Sequence, residues 1–233
     1  MNIQTFHSSS TGNLYRVSDG NTRLLIEAGV TIKKIKEALD FRLDEIAACL
    51  ITHSHGDHSK GAAGLMKSGI DCYATHGTWE TLQLNGHRAQ TIEAGKQFNI
   101  GTWKILPFKT IHNSIEPAGF LLVSDRERLL FVTDTQYIPY RFRGLTHIMI
   151  EVDYDLGIIR KHLERGAIDP EVVKGVIQNH MSLDTAKAFF MANDMSQVQE
   201  IHLLHLSSTN SDAERFKREI QQITGRPVYI GKE

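Results

Sequence analysis

A disulfide framework, a membrane span and a strong charge of either sign are all missing from this 233-residue chain. Its two cysteines, Cys49 and Cys72, are too few for a disulfide framework. Each sits in an apolar, strand-like run, where a thiol behaves as a small core hydrophobe. No apolar segment approaches the ~20 residues that a spanning helix requires. Met1-Asn2-Ile3-Gln4-Thr5 has no basic start leading into an apolar stretch, so no export signal is expected and the default location is the cytoplasm. The formal net charge of -1 removes a strongly basic nucleic-acid footprint at whole-chain level, while leaving room for a local basic patch. Repeats, low-complexity segments and linkers are absent as well. With 41% hydrophobic and 23% charged residues the chain has an ordinary globular composition, and its length suits one domain over residues 1–233.

What is present is an alternation of short apolar runs and turn signals. Residues 14–17 and 23–27 read as neighbouring strands joined by a turn at Asp19-Gly20-Asn21. Ile32, Ile35 and Leu39 recur at helical spacing and close a helix before Asp40. The continuous apolar run 47–52 predicts a strand buried on both faces. Further strands are predicted over 70–74, 104–108, 119–123, 129–133, 147–151 and 201–205. Leu183, Ala186 and Phe190 mark one face of a helix after His180. A capping box of Ser211 and Glu214 opens a last helix, with Ala213, Phe216, Ile220 and Ile223 as its apolar stripe. Two groups of strands, each accompanied by helices, indicate an α/β (α+β) protein with two packed sheets and helices outside.

Histidine is the compositional oddity, 12 in all, and the positions matter more than the number. The run His53-Ser54-His55-Gly56-Asp57-His58 follows the strand predicted over 47–52. Loops at strand ends concentrate functional groups, because the sheet holds the loop while leaving its side chains free. Imidazole nitrogens and a carboxylate are the ligands of borderline divalent metals such as zinc, manganese or iron. Gly56 is expected to let the backbone turn sharply, so that four ligands diverge into two adjacent sites. The competing reading, a chance cluster in a polar loop, is rare at this spacing.

More ligand-type residues stand at other predicted strand ends. These are His112, then Asp134 after Leu130-Phe131-Val132-Thr133, then His205 after Ile201-His202-Leu203-Leu204. Singly each is an ordinary turn or cap residue; together they indicate one site, with Asp134 suited to bridge two cations. His7, His76, His87, His147, His162 and His202 follow no such pattern. His202 should face away from His205 on the same strand, and His76 should start a helix. The loop Ser8 to Thr11 reads equally as an ordinary turn or as a substrate contact.

The ligand order His-x-His-x-Asp-His, then His, Asp and His, resembles that of the metallo-β-lactamase superfamily over nearly the whole chain. Within it, Ser9-Ser10-Thr11-Gly12-Asn13, Leu25-Ile26-Glu27-Ala28-Gly29, Glu116-Pro117, Thr133-Asp134-Thr135, Asn179-His180-Met181-Ser182 and His205-Leu206-Ser207 are most similar to the WalJ/YycJ-like hydrolases, relatives of ribonuclease Z. The resemblance implies an αββα sandwich and two divalent ions per chain, zinc before manganese. His53, His55 and His112 would hold one ion, Asp57, His58 and His205 the other, with Asp134 bridging. It makes Asp57 and His180 the catalytic side chains. His180 falls where related enzymes place a histidine that protonates the leaving oxygen rather than binding metal. The implied chemistry is attack on a phosphodiester by a hydroxide clamped between two ions about 3.5–4 Å apart, with His180 as general acid.

Relatives commonly carry Glu-x-Asn-His-Asp where this chain reads Glu151-Val152-Asp153-Tyr154-Asp155, so their substrate preference does not transfer. The short interval between His112 and Asp134 leaves no room for the long arm with which ribonuclease Z grasps tRNA, and tRNA processing is disfavoured. A nuclease and a cyclic-nucleotide phosphodiesterase stay open, the second including phage enzymes that degrade cyclic nucleotide defence signals. A thioester or lactam hydrolase on the same fold and a non-catalytic metal-binding module are the readings from other classes. The expected partners are a nucleotide or nucleic-acid substrate and, from the resemblance to ribonuclease Z, a second copy of the chain in a homodimer.

Overall fold

Residues 1–125 and 127–231 are described by the computed structural model of the protein. Among them the chain forms two mixed β-sheets, one of six strands and one of seven, with helices in the connections. The expected fold class is therefore present. The chain divides into two compact units, Met1–Lys109 with Ser114–Glu127, and Thr110–Asn113 with Arg128–Gly231. No helix of the described residues is long and apolar enough to cross a membrane.

The first unit begins with β1 (Asn2–Ser9) and β2 (Gly12–Ser18), antiparallel to each other, and β3 (Arg23–Ile26) antiparallel to β2. Parallel pairing then takes over through β4 (Ala48–Leu50), β5 (Cys72–Thr75) and β6 (Ala89–Ile92). A parallel neighbour needs a crossover, and helices supply it. The first is α1 (Ile32–Ala38), followed by the pair α2 (Gly56–Ser59) and α3 (Ala62–Lys67), then α4 (His76–Leu82). All of β4 is buried, as a parallel strand covered on both faces requires. Leu25, Cys49, Ile51 and Cys72 share a core with Ile35, Leu65 and Trp79. Both cysteines are free and buried, as expected of core hydrophobes. The unit also carries β7 (Phe98–Ile100), β8 (Trp103–Lys109) and β9 (Ala118–Ser124), an antiparallel ladder of the second sheet.

The second unit contains the parallel ladder of that sheet: β10 (Glu127–Val132), β11 (His147–Glu151), β12 (Glu200–Leu204) and β13 (Val228–Ile230). Between β11 and β12 run α5 (Leu156–Glu164), α6 (Pro170–Asn179) and α7 (Leu183–Ala192), and α8 (Ala213–Thr224) connects β12 to β13. Two details of α8 differ from the sequence reading. Its N-cap is Asp212, whose side chain accepts from Arg215 N–H, while the Ser211 hydroxyl donates back to the Ser207 carbonyl at 2.6 Å. Phe216 and Ile220 are buried, but Ile223 lies one turn past them and is exposed.

Asp19 ties together the turns of the first unit. Its carboxylate accepts from Asn21 N–H at 3.0 Å and Thr22 N–H at 2.8 Å, and from the hydroxyls of Thr102 and Ser124. Partial burial raises its pKa, but these four donors outweigh it and hold the carboxyl at about 2, against an ordinary value of 3.8. A depressed carboxylate pKa stabilises the fold fully above the unfolded pKa, and that contribution is lost as pH falls through the folded one. Asp19→Asn is accordingly expected to lower the urea midpoint at pH 7 and to change it much less near pH 2, where the wild-type carboxyl itself becomes protonated. A gap between wild type and variant that stays constant across this range would show that Asp19 is not a linkage group.

Candidate metal centre

The first unit builds its share of the site at the carboxyl ends of the parallel strands β3 and β4. Glu27 follows β3 in a left-handed conformation, φ 65°, and is completely buried. Its carboxylate accepts from Thr52 N–H at 3.3 Å and from the Thr52 hydroxyl at 2.5 Å, and it faces His58 Nδ1 at 3.3 Å. The single Thr52 hydroxyl proton is thereby committed to Glu27, so Thr52 Oγ1 accepts from His53 Nδ1–H at 2.9 Å. His53 thus directs Nδ1–H at a protein oxygen, and His58 turns its Nδ1 toward the Glu27 carboxylate. Their rings lie 4.2 Å apart, and the His55 ring is 4.7 Å from that of His53. Burial pushes the Glu27 carboxyl upward, against the pull of His58 and the two Thr52 donors.

The motif's bend is produced by helix geometry. His55 is the N-cap of α2, and His58 and Ser59 N–H both donate to its carbonyl at 3.0 Å. Asp57 and His58 project from this single turn, with Asp57 Oδ2 3.2 Å from His58 Nε2. Gly56 has an ordinary backbone conformation and open space around its Cα, so the sharp turn expected of it is not there. The glycine that matters is Gly29, where a Cβ would meet the Asp57 carbonyl oxygen at 1.6 Å. Asn13 completes the cradle, donating from Nδ2 to the Asp57 carbonyl at 3.1 Å and lying 3.2 Å from His58 Nε2. The Ser-Thr-Gly-Asn and Glu-Ala-Gly stretches are thus the seat of the histidine motif.

The second unit repeats the scheme at the ends of β10, β11 and β12. Asp134 and His205 are both left-handed, at φ 44° and 52°, and turn the chain off β10 and β12. Such backbone is sparsely populated by non-glycine residues and collects at functional sites. His112 donates from Nδ1 to the Asn179 carbonyl at 3.0 Å and holds Nε2 3.5 Å from Asp134 Oδ2. His205 turns Nδ1 toward Glu151 and Asp153, each at 3.8 Å, and Nε2 toward Asp134 at 3.9 Å. Asp134, Glu151, His180 and His205 each offer a donor atom within 4.8 Å of one another. His112, with Nδ1–H bonded to a backbone carbonyl and Nε2 turned toward Asp134, has the arrangement that metal-binding histidines require, and His205 likewise turns Nε2 toward Asp134. The residues fit divalent ions.

His180 ends α6 and precedes α7, which is capped by Ser182. Its ring stacks on His205 at 5.4 Å and meets His112 edge-on at 5.3 Å. Its Nδ1–H donates to Glu151 Oε1 at 2.5 Å, while Glu151 Oε2 accepts from Thr135 N–H at 2.9 Å and Met181 N–H at 3.3 Å. Burial lowers the His180 pKa, but the carboxylates of Glu151, Asp134 and Asp153 prevail and raise it to about 9. Burial in turn pushes Glu151 upward, opposed by His180.

Of the predicted site residues, His53, His55, Asp57 and His58 stand together in the first unit, and His112, Asp134, His180 and His205 in the second. His202 packs on Tyr229 at 5.2 Å and pairs with Glu200, consistent with a structural role. Sequence reasoning missed the functions of Glu27, Glu151 and Asn13. Glu27 and Glu151 did carry a signal, since each ends a purely apolar run as Asp134 nearly does, and an acidic group is rarely buried unless paired.

Gly29→Ala is expected to push out the His55–Ser59 turn, costing about 1–3 kcal/mol and lowering metal uptake. Gly56→Ala should keep both. Thermal melts and elemental analysis check this, and equal behaviour of the two variants would refute the cradle.

Comparison with known proteins identifies the family of the chain. The chain is 26% identical over 219 residues to exodeoxyribonuclease WalJ of Streptococcus pneumoniae, covering 88% of this chain and 81% of that one. It is 25% identical to exodeoxyribonuclease YycJ of Bacillus anthracis over 96% and 89% of the two chains. The metallo-β-lactamase fold protein YhfI of Bacillus subtilis superposes with a TM-score of 0.73 at 14% identity, covering 99% of this chain and 95% of that one. Residues 22–206 match the family described as beta-lactamase superfamily domain, and the chain belongs to that family.

Proposed function

We propose that the protein is a two-metal phosphodiester hydrolase acting on nucleic acid or nucleotides. The observation that carries this reading is His180, paired at 2.5 Å to a fully buried Glu151 beside Asp134 and His205. His180 stands outside the ligand order that the family resemblance implies, and its Nδ1–H bond to Glu151 orients the ring so that Nε2 can hold a proton and give it up. A phosphodiester releases an alkoxide, which needs that proton, whereas a thiolate leaves without one. The names of the two exodeoxyribonuclease relatives support the same bond class.

Family membership supports the ligand assignment: His53, His55 and His112 for one ion, Asp57, His58 and His205 for the other, and Asp134 bridging. Zinc suits an imidazole-rich set, with manganese second. Such ions, when bound, supply Lewis-acid chemistry that activates water and offsets charge on a phosphoryl group. The chain's own part is to orient and to move protons. Glu27 and Thr52 fix the His58 and His53 rings, Asp57 joins ligation to catalysis, and Glu151 holds His180 by Nδ1 so that Nε2–H serves the leaving oxygen. Free thiols at Cys49 and Cys72 suit a reducing, cytoplasmic compartment. The resemblance of its motifs to those of ribonuclease Z supports a homodimer.

Protein purified without chelator is expected to approach two equivalents of transition metal by elemental analysis, and Asp57→Ala one. Loading that never passes one equivalent in wild type would overturn the two-metal reading. A panel of chromogenic phosphodiester, thioester and β-lactam substrates tests the bond class, and turnover of the last two alone would refute it. His180→Ala should keep its metal and lose about 10²–10⁴ in kcat on a substrate with a poor leaving group. The loss should be far smaller for nitrophenolate, which departs unprotonated. His205→Ala should lose metal and activity together on every substrate. Equal losses by His180→Ala on good and poor leaving groups would remove it as the acid.

A further inference from the structure

Between β10 and β11 the chain runs through residues 133–146 without helix or strand. Irregular connections of this length are uncommon in compact proteins and are often functional. This one departs directly from Asp134. From Thr135 to Thr146 it carries Arg141 and Arg143 and no acidic residue, in a chain whose net charge is -1. Both arginines are exposed. Two of the large hydrophobic side chains left exposed also lie here, Tyr137 at 47% and Tyr140 at 40%.

The segment is braced. Gln136 N–H donates to the Ile111 carbonyl at 3.0 Å, and the Thr135 hydroxyl donates to the Tyr137 carbonyl at 3.0 Å. Pro139 fixes its own φ. Phe142 faces inward: its N–H donates to Asn193 Oδ1 at 2.8 Å and its ring meets Phe189 at 6.4 Å. Tyr140 rests against Phe142, edge to face at 6.4 Å. Scattered exposed aromatics are normal on a protein surface. Two tyrosines propped on one braced strip, interleaved with arginines and free of carboxylates, are instead the composition of a stacking platform for single strands. Tyr137 is three residues from Asp134, so their Cα atoms lie at most about 11 Å apart.

We propose that the strip Tyr137–Arg143 binds a single-stranded polynucleotide, with bases stacked on Tyr137 and Tyr140 and phosphates on Arg141 and Arg143, leading the strand toward Asp134. The inference rests on the phosphodiesterase reading and narrows its substrate class to a polymer. A cyclic mononucleotide has no flanking nucleotide to reach Tyr140, six residues beyond Asp134.

The test uses the full, metal-replete chain and fluorescein-labelled, phosphorothioate-linked (dT)20 and (rU)20, which resist cleavage, with a duplex of equal length alongside. Wild type should bind a single strand more tightly than the duplex, and the tighter of the two single strands identifies the sugar. Joint Tyr137→Ala and Tyr140→Ala should raise Kd at least about 10-fold, whereas joint Tyr137→Phe and Tyr140→Phe should keep most of the affinity, since the ring does the stacking. Joint Arg141→Ala and Arg143→Ala should reduce the slope of log affinity against log salt by about 1.4, or roughly 0.7 for each phosphate that is no longer neutralised. Circular dichroism and metal content establish that the variants are folded. Absence of single-strand binding, preference for the duplex, or variants with unchanged Kd and slope would each overturn the proposal. Wild-type turnover of a chromogenic diester separates the two readings. Strip-dependent binding without such turnover sinks the hydrolase and keeps the strip, and turnover with strip-independent binding does the reverse.

Discussion

Among the described residues two carboxylates are buried completely, Glu27 and Glu151, and the site's geometry follows from what is needed to keep them there. A buried charge is strongly unfavourable unless hydrogen bonds and an opposite charge surround it. Glu27 is satisfied by the backbone and hydroxyl of Thr52 and by His58. Glu151 is satisfied by the backbone N–H groups of Thr135 and Met181 and by His180. In each case the donors belong to the very loops that carry the candidate metal-ligand and proton-transfer side chains. Satisfying the carboxylate and aiming the histidines are one structural requirement, met in both units by the same device.

Parallel pairing explains why these loops come together within each unit. Ile26 of β3 is in register with Leu50 of β4, so Glu27 and the residues after β4 leave the sheet at the same level. Val132 pairs with Ile150, and Glu151 with Leu204, which aligns the starts of the Asp134, Glu151 and His205 loops. Strand ends of one polarity on one edge are where open α/β sheets place their ligands. The left-handed residues Glu27, Asp134 and His205 turn the chain there at some conformational cost. That cost is accepted where side-chain direction matters more than local stability.

Charge is distributed unevenly with respect to this site. The centre concentrates acidic and imidazole groups, while the connection leaving Asp134 is basic and aromatic. A near-neutral chain can thereby combine a candidate metal centre with a locally basic surface strip. The whole-chain charge reports on solubility and general association, and it says little about a strip of a few residues.

The sequence by itself determined which side chains are candidates for the chemistry. The spacing of His53, His55, Asp57 and His58, and ligand-type residues at the ends of apolar runs, marked the candidate donor set because ligand type is a property of side chains. Apolar periodicity likewise gave most of the strands and α7, since burial on one or both faces is written directly into local composition. Tertiary structure alone decided how those side chains are held. That Gly29, not Gly56, makes the bend possible depends on the approach of the Asp57 carbonyl, 28 residues away in sequence. That Glu151 rather than a ligand-motif residue governs His180 depends on β11 lying beside the turn that follows α6. Asp212 in place of Ser211 at the start of α8, and the exposure of Ile223, were set by where that helix meets its neighbours. Contacts between residues distant in the chain leave no local pattern, so only the fold reveals the buried carboxylates as the supports of the centre.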